Sequence, residues 1–177
     1  MKALVVLPFL LFTALAYAQS PNDAQIAQIV VTANQVDIDA GKLAESKGGS
    51  ADVKAFAKQM VTDHAGVNKQ ATALVKKLKV KPEPSDTSKS LADGGKENLA
   101  KLKGLKKGPE FDKAYIDHEV EYHQAVIDAM DKTLIPSAQN AELKDLLVKV
   151  RPAFESHLAH AKHLQSKLGG GGTGATK

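Results

Sequence analysis

The chain contains no cysteine and no tryptophan, and only 5% of its 177 residues are aromatic. Without cysteine it can form no disulfide, offer no thiolate to a metal and use no thiol nucleophile, and a lipid-anchored export signal, which needs a cysteine at its cleavage site, is excluded. Few aromatics leave no stacking platform for single-stranded nucleic acid, and a net charge of +4 is too mild to imply nucleic acid by itself. There is no Gly-x-Ser-x-Gly elbow and no glycine-rich phosphate loop between a strand and a helix. No glutamate is followed three residues later by histidine, so the Glu-x-x-His signature of carboxylate-bridged di-iron bundles is missing, and with it ferroxidase chemistry of that type. Beyond the amino terminus, no segment approaches the roughly 20 apolar residues of a membrane-spanning helix.

What is present begins with a leader. Lys2, an apolar run from Ala3 to Ala16 and the triplet Ala16-Tyr17-Ala18 read as a secretory signal peptide cleaved after Ala18. The expected location is therefore periplasmic or secreted. Residues 19–168 are long enough for one domain with its own core. The terminal Gly-rich stretch, 169–177, has no apolar anchor and reads as a disordered tail.

Glycine and proline punctuate the rest sparsely, apolar residues recur at three- and four-residue spacing, and no alternating strand pattern stands out. Four long helices are expected. The first runs from Pro21 to Lys47, with Ser20 as N-cap, and ends at Gly48-Gly49. The second starts at Ser50 and continues to about Val80. The third runs from Gly108-Pro109 to near Leu134. The fourth starts at Ser137 or Asn140 and runs to Leu168, with Pro152 expected to kink it. Between the second and third lie residues 81–108. There Leu91, Leu99, Leu102 and Leu105 among lysines predict one thin amphipathic helix, weakened or split at Gly94-Gly95. Short turns make antiparallel neighbours, whereas this long connection can travel the length of a bundle and leave the second and third helices parallel. The expectation is an all-α, ferritin-like four-helix bundle with a long crossover containing a short helix. The alternative is an up-down-up-down bundle with an overgrown middle loop.

On helical wheels, each long helix carries one polar group inside its apolar stripe: Asp37, His64, His123 and His157. Asp63, His118, Glu119 and His160 lie at the margins of the same faces or one turn away. Burying a carboxylate and three imidazoles without partners costs several kcal/mol. Two arrangements offset that: a four-coordinate divalent ion (Zn, Cu, Fe or Mn), or a metal-free Asp–His hydrogen-bond network. Counted from the last turn, His123 and His157 differ in depth by about two helical turns, and His118 or Glu119 is level with His157 instead. The His157–His160–His163 ladder drifts around its helix, so His163 is expected in solvent. Lysines 76, 77, 79 and 81, and 101, 103, 106 and 107, read as solvated faces, or as weak contacts to anionic envelope surfaces.

Several stretches resemble a family of exported bacterial proteins grouped as domain of unknown function 4142. They are Asp37-Ile-Asp-Ala-Gly-Lys-Leu-Ala44, Val53-Lys-Ala-Phe-Ala-Lys-Gln-Met-Val-Thr-Asp-His64 with Asn68, Phe111-Asp-Lys-Ala-Tyr115, His123, and Pro152 to His157. The most specific is Met-Val-x-Asp-His. The resemblance spans roughly Ala24 to Leu168. It implies a ferritin-like helical fold, export, and His64, His123 and His157 as the residues of interest, but no reaction. The family pattern carries Glu where this chain has Asp37 and Asp39, and Asp where this chain has Tyr122.

Overall fold

The structure is a computed structural model that describes residues 20–170; residues 1–19, which include the expected signal peptide, and residues 171–177, which include most of the expected tail, lie outside them. Among the described residues the protein is all-helical. The elements are α1 (Asp23–Lys47), α2 (Ala51–Lys77), α3 (Asp86–Gly104), α4 (Pro109–Ala129), a π-helical turn (Met130–Leu134), the short α5 (Ile135–Ser137) and α6 (Ala141–Gly170). No helix among them is long and apolar enough to cross a membrane.

The helix starts are set by side chains that satisfy otherwise orphaned amides. The cap of α1 is Asn22 and not Ser20. Its side chain accepts from the Gln25 amide, and Gln25 returns the bond to the Asn22 amide, a reciprocal pair that Ser20 is two residues too early to make. Ser50 caps α2 through the Val53 amide. Asn140, not Ser137, caps α6 by accepting from Glu142 and Leu143. The second helix ends at Lys77, earlier than expected, because Lys79 takes a left-handed conformation at φ 54°. Pro152 sits inside α6 without ending it. That helix runs on through Gly169 and Gly170, two residues past its expected end.

Two apolar clusters define the direction of every helix. One gathers Ile26 and Ile29 from the start of α1, Val67 and Ala71 from the latter part of α2, Ile127 near the end of α4, and Leu143 and Leu147 from the start of α6. The other gathers Ala44, Val53, Phe111 and Leu164, from the opposite ends of the same helices. Hence α1 and α2 are antiparallel, α4 and α6 are antiparallel, and α2 and α4 run the same way. The connection between them carries α3 back along α1.

That return helix is continuous; Gly94-Gly95 does not split it. Gly95 is buried, and a β-carbon there would lie 2.6 Å from Val36 Cγ2. The glycine is where α3 comes close against α1, and burial outweighs its poor helix propensity.

Two buried or half-buried aspartates lock the turns. Asp112, in the first turn of α4, accepts from the Gly49 and Ser50 amides, both at 2.7 Å. Asp23, in the first turn of α1, does the same for Gln139 and Asn140, both at 2.9 Å. Each hairpin's first helix thus clamps the turn of the other hairpin, one at each end of the molecule. Between the two ends, and between the two apolar clusters, lies a polar layer.

Candidate metal centre

The polar layer contains all four residues that the helical wheels single out. Asp37 is 1% exposed, His64 1%, His123 0% and His157 3%. The three imidazole centroids are 5.2, 5.4 and 5.5 Å apart, so they form a nearly equilateral group. Phe154 lies edge-on to His64 at 5.0 Å and 5.9 Å from His123, and covers one side of the group.

Most of the depth mismatch between His123 and His157 disappears because the helical path after α4 continues through the π-helical turn and α5 to Ser137, past the expected end near Leu134, and side-chain direction acts in the same sense. Helical side chains lean toward their own N-terminus. His123, on the first helix of its hairpin, leans away from the turn; His157, on the second, leans toward it. The same lean brings Asp37 and His64 together in the other hairpin. His118 is therefore not the residue that meets His157. It lies partly buried and stacked on Tyr122, with ring centroids 5.5 Å apart. His160 is exposed and rests its ring on Phe56, and His163 is exposed as expected. The remaining marginal candidates do join the site. Glu119 is buried one turn before His123, and Asp63 reaches His157 from the edge.

Each imidazole has one nitrogen committed to an acceptor. His64 Nδ1 lies 2.7 Å from the Asn34 side-chain oxygen. Asn34's amide group is in turn fixed on the Val30 carbonyl at 2.7 Å, so its oxygen must face His64 and Nδ1 must carry the proton. His123 Nδ1 lies 2.9 Å from the Glu119 main-chain oxygen, which can only accept. His157 Nε2 lies 2.9 Å from an Asp63 carboxylate oxygen. In the neutral rings, the opposite nitrogens therefore hold lone pairs: His64 Nε2, His123 Nε2 and His157 Nδ1. All three are buried and have no hydrogen-bond partner, as do both Asp37 oxygens.

The three rings cluster, and two of these lone pairs, on His64 and His123, face Asp37. A ring nitrogen from each histidine lies within 4.8 Å of the others. Asp37 Oδ2 is 3.0 Å from His64 Nε2 and 3.5 Å from His123 Nε2, without hydrogen-bond alignment to either. Two acceptors face each other here, an arrangement that is repulsive unless a proton or a cation lies between them. Ligands at about 2.0–2.1 Å in a tetrahedral shell stand about 3.3 Å apart, a spacing that 3.0 and 3.5 Å bracket.

Burial favours the neutral ring at His123 and at His157. Burial is the main influence on His123 and holds it down to about 4, against the pull of Asp37. Burial also lowers His157, although Asp63 opposes it. At Asp37, burial pushes the carboxyl upward, but the imidazoles, led by His64, outweigh it and leave the group below its ordinary value. Glu119 is driven the other way. Burial first, then the nearby Asp37 charge, push it well above the ordinary carboxylate range. Its Oε2 lies 3.4 Å from His123 Nδ1, and the buried Tyr115 hydroxyl is beside it.

Two residues outside the candidate ligand set contribute, of which Asn34 was not singled out in the sequence. Asn34 precedes Asp37 by three residues on the same face, a spacing that marks it as able to reach the same point. Tyr122 donates to the Ala33 carbonyl at 2.8 Å and ties α4 to α1 beside the cluster. The lysines after α2 and those at the end of α3 lie at opposite ends of the molecule, so they form no single basic face. Lys77 is paired with Glu142.

Fold and site together define, among the described residues, an all-helical protein whose centre is a buried cluster of three imidazoles with one carboxylate facing two of them. The chain belongs to the family described as domain of unknown function (DUF4142), whose sequence model matches residues 12–164. Comparison with curated proteins and with solved structures gives no match.

Proposed function

We propose that this is an exported, ferritin-like four-helix-bundle protein that binds one divalent transition metal ion at Asp37, His64, His123 and His157. The observation that carries the metal reading is the clustering of three buried imidazoles, two of them facing a carboxylate that has no hydrogen-bond partner. Each ring's other nitrogen is held by an acceptor: Asn34, the Glu119 carbonyl or Asp63. That outer layer fixes the tautomers a metal site needs. The donor set of three neutral nitrogens and one anionic oxygen suits zinc, copper, iron or manganese in the divalent state. Four ligands from the chain complete a tetrahedral shell, which fits metal buffering, sensing or envelope stress tolerance better than catalysis at an open coordination position. The parallel α2 and α4 with a long crossover support the ferritin-like assignment. Export rests on the leader, and periplasmic or secreted localisation follows from it.

A second reading is favoured by one distance. His64 Nε2 and Asp37 Oδ2, 3.0 Å apart, would become an ion pair if one proton were added. The protein would then be a metal-free envelope structural or interaction module built round an Asp–His network. Thermal unfolding with and without added divalent metal separates the two. The metal reading expects a rise in Tm that is lost in His64→Ala; the network reading expects no rise in either protein.

A further inference from the structure

Next to the polar layer, on the side of the first apolar cluster, is a pocket of about 220 Å³ between α1, α3, α4 and α6. Ile29, Val67, Leu91, Met130, Leu147 and Val150 supply its apolar wall. Protein interiors are close-packed, and a space of this size in an apolar setting is many times larger than a packing defect. Asn34 and Phe154 also line it, and these are the two side chains that touch His64.

The polar groups along the pocket are already used. Asn34 is bonded to both Val30 and His64, and the Tyr122 hydroxyl donates to Ala33. The threonines, Thr87 and Thr133, are exposed at the rim. An occupant therefore gains by burying apolar surface and finds no charged group inside to meet. Where the pocket could have been filled, the lining residues are small: Ala33, Ala125 and Ala129.

We infer that this pocket is a binding site for a small apolar molecule, an alkyl or aryl group seated against Phe154 and Asn34, with any neutral polar end at the threonine rim. A dry apolar cavity of 150 Å³ accepts benzene, so 220 Å³ has room for about nine heavy atoms. Indole and n-octanol are of that size. The inference does not depend on metal being bound, because no proposed ligand atom lines the pocket.

The test is calorimetric titration of the chelator-treated protein with indole and with n-octanol, repeated on Ala33→Leu and Ala129→Leu. Saturable one-to-one binding of at least one probe is expected, weakened at least tenfold in a filled variant that keeps the wild-type helical content. Probe binding should be the same in chelator as in excess zinc, which separates this site from the metal reading; probe binding seen only with zinc overturns the inference. No saturable binding of either probe to folded wild-type protein overturns the inference, and so does binding that both filled variants leave unchanged. If neither leucine variant folds, the indole-induced change in Phe154 and Asn34 side-chain NMR resonances of the wild type decides: shifts confined to other parts of the molecule overturn it.

Discussion

Replacing Asp37 by asparagine should change stability in opposite directions with and without metal. In the chelated protein the wild-type carboxylate is buried and faces two imidazole lone pairs at 3.0 and 3.5 Å. Asparagine keeps the shape, removes the charge and offers an N–H to His64 Nε2. A new buried hydrogen bond contributes about 1 kcal/mol, and relief of an unpaired buried charge adds to it. The chelated variant should therefore be about 1–3 kcal/mol more stable than wild type. With saturating zinc the order reverses, because the variant has lost its anionic ligand and gains less from the metal. Urea denaturation in chelator and in excess zinc measures both arms. If Asp37→Asn instead costs the chelated protein 3 kcal/mol or more, as breaking a buried ion pair does, Asp37 is paired with an imidazolium and the tautomer argument fails.

Asp63→Ala removes the acceptor that orients His157, and zinc titration should show affinity reduced about 10–100-fold; its stability cost, from a half-exposed pair, should stay near or below about 1 kcal/mol. Asp112→Ala should cost about 2–4 kcal/mol in urea denaturation, since it strips a buried carboxylate from two backbone amides at the α1–α2 turn. The chelated protein should also lose stability on acidification. His123 is held at about 4 in the folded state against an ordinary 6.5, so the unfolded chain binds the extra proton first. Its contribution is complete above about pH 6.5 and declines toward pH 4, at a slope approaching 1.4 kcal/mol per pH unit. Lowered His157 acts in the same direction. A flat stability profile between pH 6.5 and 4.5 would contradict neutral, buried rings.

The helices and the central residues were legible in the sequence because both depend on a 3.6-residue period. Asp37, His64, His123 and His157 stand out as polar positions on apolar stripes, and the structure buries all four. Their relative height was not legible from residue counting alone. The count was taken from an expected helix end near Leu134, whereas the helical path runs on through the π-helical turn and α5 to Ser137, a continuation that Pro136 argues against locally. Asn34 escaped notice because asparagine on an α-helix reads as an ordinary polar residue; only its spacing from Asp37 hints at a shared target. The clamps by Asp23 and Asp112 join residues far apart in the chain, where no periodicity applies. The continuity of α3 through Gly94-Gly95 was hidden for a different reason. Local propensity argues against it, and the tertiary contact with Val36 decides it.

The account's central claim is that the clustered imidazoles and Asp37 take up a metal ion, and elemental analysis tests it most directly. Protein purified without an affinity tag, exposed to zinc, copper, iron and manganese in turn and freed of excess ion, should retain about one metal per chain for at least one of them, with retention lost in His64→Ala. Fewer than about 0.1 metal per chain after every exposure would contradict it.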